Sequence, residues 1–184
     1  MLVDVEMHKK VVSMAGAIFT NETAHEFFVK NPGANELSFA WLDPATELMC
    51  KGRADRIGQI GEWPVVGDLK TARDASRREI EKAIEKFGYH IQAAHYLDGL
   101  QTIHPVPEGN PFRRYMLFVI ESEPPYLCAS YEIDDIALEE GLSQRRQYMN
   151  QYAECVETGY WPGYPAGVEY VSLPAWHFKI YREG

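Results

Sequence analysis

The chain has 184 residues, of which 46% are hydrophobic and 12% aromatic, enough to build the core of one compact domain spanning 1–184 and too apolar for intrinsic disorder. No apolar run approaches the roughly 20 residues that span a bilayer, and the first residues lack the basic-then-apolar order of a signal peptide, so a soluble cytoplasmic protein is expected. The formal net charge of -9 counts against a broadly phosphate-binding surface, and the three cysteines, Cys50, Cys128 and Cys155, are widely spaced and form no CxxC pair, which argues against a disulfide framework and a structural zinc or iron–sulfur site.

In chain order, the apolar spacing from about Val3 to Phe19 predicts a helix, and "TAHEFFVKN" a second helix or helical turn stopped by "NPG". "ELSFAWLD", "ELMCKGRADRIGQI" and "PVVGDLKT", separated by "DPAT" and "GEWP", read as three strands of a meander. "SRREIEKAIEKFG" opens with a capping box, Ser76 and Glu79, and ends at Gly88 as a left-handed C′ residue, with Ile80, Ala83, Ile84 and Phe87 as its buried stripe. A helix over "YHIQAAHYLDGLQTI" follows at once, then strands at "RYMLFVIES" and "YLCASYEI". A long helix from Asp135 to about Thr158 would face the core with Leu138, Leu142, Met149, Tyr152 and Val156. This order predicts an α/β (α+β) fold: a central mixed sheet flanked by helices, not a regular parallel βα repeat.

Period two puts Asp68 and Lys70 on one face of their strand with Val66, while Val65 and Leu69 point the other way; Lys51, Arg53 and Asp55 share a face of the preceding strand. If the two strands pair, Asp55 approaches Asp68 and Lys70, and Gln92 and Tyr96, four residues apart on a helix, lie beside them. Solvated charges in weak surface pairs are the plain alternative. Against it, Gly67 and Asp68 are poor strand formers directly after "PVV". The chemistry that needs this set is metal-assisted phosphodiester hydrolysis: Mg²⁺ prefers oxygen ligands, two aspartates supply them with the Leu69 carbonyl, and a lysine can stabilise the charge that develops on attack. Basic residues also crowd the middle of the chain, where Arg73, Arg77 and Arg78 open a helix and either meet a phosphate or form a solvated face. "WPGYPAG" either offers aromatics to bases or packs as a Trp-Pro turn, the latter being the expected reading. His90, His95, His104 and His177 show no metal-ligand spacing, and no Ser-His-Asp order, phosphate loop or dinucleotide fingerprint is present.

Asp55, "GDLK" and "QAAHY" in this order resemble the motif series of the PD-(D/E)xK nuclease superfamily, in its QxxxY exonuclease branch with the lambda-type enzymes. "CKGRADRI", "DLKTARDAS", "FGYHIQAAHYLDGL" and "TGYWPGYPAGVEYVSLPAWHF" are similar to the exonuclease VIII (RecE-like) family, often phage or prophage encoded, over about Glu36 to Phe178. The resemblance implies a restriction-endonuclease-like core and a Mg²⁺-dependent (or Mn²⁺-dependent) exonuclease that digests double-stranded DNA ends 5′ to 3′. It also implies a ring-shaped homo-oligomer and a recombination role beside a single-strand annealing protein, in a bacterial or phage-encoded setting. It gives Asp55 and Asp68 as metal-binding acids, Lys70 as the catalytic lysine, Glu36 as an upstream acid, and Gln92 with Tyr96 as the helix that positions water or DNA; Arg53, Arg73, Arg77 and Arg78 are the DNA-binding candidates. Two departures stand out. Where the family carries a histidine before the first strand this chain has Asn21, with His25 one helical turn on, and the family usually has more chain before this start. A single-strand or endonucleolytic DNase of the same fold, or a catalytically weak DNA-binding or assembly module, are the alternatives.

Overall fold

The computed structural model describes residues 4–105 and 114–174; Val3, His177 and Phe178 lie outside them. Helix α1 (Val5–Ala17) starts where the Asp4 carboxylate accepts the Met7 N–H at 2.8 Å, which satisfies one of the free donors of the first turn. A 3₁₀ turn (Ile18–Thr20) leads into α2 (Glu22–His25), which continues as a single π turn (Glu26–Lys30). Asn21 caps α2 by accepting from Ala24 N–H, and it also accepts from Ser130 Oγ and donates to the Cys128 carbonyl.

Strands β1 (Ala34–Leu42), β2 (Met49–Ile60) and β3 (Trp63–Ala72) form the predicted antiparallel meander. Helices α3 (Arg77–Phe87) and α4 (Tyr89–Ile103) then carry the chain back, so that β4 (Arg114–Glu121) pairs parallel with β3 and β5 (Cys128–Glu132) closes the edge antiparallel. The result is a mixed five-stranded sheet in sequential order with helices on both faces, as the sequence predicts. Gly88 breaks α3 from α4 at φ 66, a left-handed conformation that glycine adopts without steric cost. Ser76 occupies the N-cap of α3, but its side chain makes no cap bond; Glu79 is drawn instead to Lys82 at 2.5 Å.

Alternation along the strands feeds two apolar layers. Val66, Tyr115, Leu117 and Val119 pack with Ile80 of α3 and Ala93, Leu97 and Leu100 of α4. Val65, Met116 and Phe118 pack on the other face against Ala24 and Phe27. Gly67 has a packing reason to be glycine, because a Cβ there would collide with the Phe27 ring.

The final helix, α5 (Asp135–Thr158), keeps its predicted stripe only in part: Leu138 packs against the core and Met149 is half-buried. Leu142, Tyr152 and Val156 are exposed, while the buried positions are Gly141 and Arg145. Gly141 lets the helix approach the His90 carbonyl of α4, where a Cβ would not fit. Arg145, 4% exposed, reaches Asp43, 0% exposed, at 2.9 Å, approaches Asp98 at 3.1 Å, and donates from Nε to His95 Nδ1 at 3.0 Å. Asp43 also accepts from Arg146, the Thr46 hydroxyl and the backbone N–H groups of Ala45 and Thr46. Apolar periodicity carries no trace of a buried ion cluster, which is why the stripe was misplaced in part. On the far side of the sheet Arg56 is likewise buried, donating to the Phe27 and Asn31 carbonyls and to Asn35 Oδ1, so it closes the end of the π turn.

The chain divides into two units, Met1–Ala153 and Glu154–Gly184. The first holds the whole sheet. The second, as far as it is described, contains the last residues of α5 and an irregular segment in which Tyr160, Trp161, Tyr164 and Tyr170 are exposed, where the sequence favours a packed Trp-Pro turn. Among the described residues no helix is long and apolar enough to cross a membrane.

Burial pushes the Asp43 carboxyl upward, but its bonds from Arg146, Arg145 and Thr46 outweigh that and hold it well below the usual carboxylate range. Its contribution to stability is therefore complete above the ordinary aspartate pKa and is lost as pH falls toward the depressed one. Asp43→Asn is expected to cost about 3–5 kcal/mol at pH 7, because it leaves Arg145 buried without its full counter-charge. In urea titrations the gap from the wild type should narrow below about pH 4; equal gaps at pH 7 and pH 3 would show that the carboxylate charge is not what stabilises.

Candidate active site

The β2–β3 ladder runs from Ile60↔Trp63 to Arg56↔Gly67 and stops there. Beyond it, Asp55 replaces the ladder carbonyl: its Oδ2 accepts the Leu69 N–H at 2.9 Å. The carboxylate thus sits where the two strands cease to pair, against the segment that carries Asp68, Leu69 and Lys70. The backbone change responsible lies in β1–β2. Neither Glu36 nor Asp55 joins the β1–β2 ladder, although Asn35↔Arg56 and Leu37↔Ala54 do, and Glu36 has φ 50. Ala54 and Ile57 both join the α4-side layer, three residues apart, so strict alternation fails between them. Lys51 and Arg53 alternate with Ala54 and do not share a face with Asp55 as predicted; the kink turns Asp55 alone toward β3.

On β3 the alternation holds. Asp68 lies on the face of α4, its side chain 5% exposed, with Lys70 Nζ 2.5 Å from Oδ2 and Gln92 Nε2 donating to Oδ1 at 3.3 Å. The buried Oδ2 is thus held by the Lys70 ammonium, and the buried Tyr115 hydroxyl lies beside the same carboxylate and interacts with it. Burial pushes the Asp68 carboxyl up, Lys70 partly offsets this, and the negative charge of Asp55 adds to the rise. Burial and the Asp68 charge hold the Tyr115 hydroxyl well above the ordinary tyrosine range, so it stays protonated. Lys70 also rests over the Tyr89 ring, 4.9 Å from its centroid.

Asp55, Asp68, Leu69, Lys70 and Gln92 are therefore brought together. Tyr96, one turn after Gln92, packs edge-on against Phe39 and near Tyr115 without a bond to either aspartate. Glu36 is exposed and pairs with Arg53 at 3.1 Å. Arg73 and Arg78 are exposed, and Arg77 is paired with Glu81 at 2.7 Å. Leu69 does not bury its side chain as predicted: it is 40% exposed, because the Phe27 cover of that face ends at Gly67. Asn21 is committed to α2 and β5, and His25 packs on Phe19 at 5.4 Å. Tyr115 and Tyr89 were missed by sequence reasoning; a tyrosine in the otherwise apolar "YMLFVI" run was the available signal for the first.

The donor set fits a hard divalent cation. Asp55 and Asp68 offer carboxylate oxygens, and the like charge of Asp55 beside the buried Asp68 is a repulsion that a cation would relieve. Among the described residues no cluster of three or more His, Cys, Asp or Glu side chains could hold a metal, so such an ion would complete its shell with backbone, water or substrate oxygens, the usual habit of Mg²⁺.

A family profile described as "PDDEXK-like domain of unknown function (DUF3799)" matches residues 4–174. Among solved structures, the chain is similar to a "Putative exonuclease" from Eubacterium rectale, with a TM-score of 0.64 and 14% identity, covering 84% of this chain and 55% of that one. SSO0001 aligns with a TM-score of 0.39 and 14% identity, over 78% of this chain and 60% of that one. The chain thus spans less than two thirds of either solved structure, and the first likeness is one of fold. No curated protein matches.

Since the folded Asp68 carboxyl titrates above its unfolded value, its burial costs stability as pH rises through that window, and a bound cation should reverse the cost. Without divalent metal, Asp68→Asn is expected to melt higher than wild type at pH 7.5. Adding Mg²⁺ should raise the wild-type Tm and leave that of the variant unchanged. A lower Tm for Asp68→Asn in metal-free buffer would overturn this account of the site.

Proposed function

We propose that this chain, which belongs to the PDDEXK-like family, is a Mg²⁺-dependent exodeoxyribonuclease that hydrolyses phosphodiester bonds at double-stranded DNA ends. The observation that carries the reading is the convergence, at the end of the β2–β3 ladder, of two carboxylates, a lysine and a glutamine around the buried Asp68. Asp55 and Asp68 would hold the ion, with Leu69 adjoining; bound there, it supplies positive charge to a scissile phosphate and acidity to a water. Lys70 sets a fixed positive charge beside Asp68, where it can stabilise a phosphate oxygen as charge develops, and partial burial strengthens that effect over water. Gln92 fixes the rotation of the Asp68 carboxylate through Oδ1. Tyr96 braces α4 against β1 through Phe39. Exposed Arg73 and Arg78 would meet the DNA backbone, with Arg53 and Arg77 joining them if their carboxylate partners, Glu36 and Glu81, release them.

The motif resemblance to the exonuclease VIII and lambda-type branch extends the proposal. Digestion would run 5′ to 3′, Mn²⁺ would replace Mg²⁺, and a homo-oligomeric ring would work beside a single-strand annealing protein in recombination or repair.

Purified protein is expected to digest end-labelled linear duplex with Mg²⁺ and not with chelator. Lys70→Ala should fold normally and lose at least about 100-fold in rate. Closed circular duplex should survive. Full activity in Lys70→Ala would end the proposed mechanism, and cutting of closed circles would make the enzyme an endonuclease.

A further inference from the structure

Phe87, predicted to belong to the buried stripe of α3, is 61% exposed at the junction with α4. Its ring stacks on Tyr89, with centroids 5.6 Å apart and planes at 29°. Lys70 Nζ lies 4.9 Å from the Tyr89 ring and Lys86 Nζ 5.3 Å from the Phe87 ring, so an exposed Phe87 stacked on a half-buried Tyr89 is flanked by two ammonium groups, one of them the candidate catalytic lysine. The two rings also help to wall a pocket of about 170 Å³ whose floor is apolar, including Ile80, Ala83, Leu117 and Val119, with Lys70 at its edge.

We propose that Phe87 and Tyr89 form a nucleobase-stacking site, which takes a base of the DNA strand next to the phosphate under attack. The site deepens the nuclease reading and rests on it. A base supplies the flat apolar face that the rings and pocket lack, and the phosphates on either side of that base match the two cations, a complementarity that an apolar peptide would not offer. Of the nearby acids, Glu79 is held by Lys82 at 2.5 Å and Glu81 by Arg77 at 2.7 Å, while Asp68, the partner of Lys70, is one of the two carboxylates that would hold the proposed cation. Stacking accepts every base, which suits an enzyme that removes nucleotides regardless of sequence.

The test is a linear duplex carrying a terminal 2-aminopurine, mixed with the full chain in Ca²⁺ to slow cleavage. Wild type and Phe87→Tyr should quench the probe by stacking. Phe87→Ala should not, and should bind duplex ends roughly tenfold more weakly. If wild type digests the same duplex in Mg²⁺ but leaves the fluorescence unchanged, or if Phe87→Ala quenches as wild type does, the stacking site is wrong and the nuclease reading stands. If wild type neither binds nor digests DNA with Mg²⁺ or Mn²⁺, both fall.

Discussion

Two strands that run parallel cannot be joined by a hairpin, and α3 with α4 is the crossover that β3 and β4 require. Most of the candidate site depends on that constraint. The crossover lays α4 over the face that carries Asp68 and Lys70, and it delivers Gln92 and Tyr89 from a segment remote from β3 in the chain. The parallel pair is also the dry centre of the sheet: Tyr115 to Ile120 are buried on both faces of β4, whereas β1 is exposed along most of its length. Asp55 and Asp68 occupy the border between these regions, where a ladder ends and a side chain takes over a backbone bond. Substrate can reach such a border, while the protein side of it remains poor in water.

The chain buries two aspartates, and it treats them in opposite ways. Asp43 is surrounded by two arginines, a hydroxyl and two backbone donors, more than enough to offset its desolvation, and its acidity rises accordingly. Asp68 has one lysine, one long glutamine bond, the Tyr115 hydroxyl and a nearby carboxylate of the same sign, too little to offset its desolvation. The first arrangement is a structural anchor. The second leaves a buried carboxylate with a raised pKa, a perturbation of the kind found at functional sites.

Much of this was legible in the sequence. Period two and the turns at "GEWP" and "DPAT" gave the meander; Gly88 and the apolar run after it gave the α3–α4 break; the spacing of Asp68, Lys70 and Gln92 gave the group that meets. The failures share one physical cause, since periodicity sees apolar side chains and is blind to what charge and small residues do in a core. Arg145 and Gly141, not Leu142 or Tyr152, mark the inner face of α5. The facing of Asp55 turned on a kink near Glu36 that no alternation rule contains. Gly67 looked like a concession to the site, yet the Phe27 ring on the opposite face explains it.

His95 sits next to Tyr96 and three residues after Gln92. Because Arg145 donates into its Nδ1, its proton belongs on Nε2, which faces the Lys51 carbonyl at 3.4 Å. Burial and the adjacent guanidinium depress its basicity, which favours the neutral ring. A helix seated only on oily side chains can roll by a few degrees at little cost. Here α4 carries an index pin: two directional bonds at one ring set its rotational phase, and the aim of Gln92 at Asp68 is set with it.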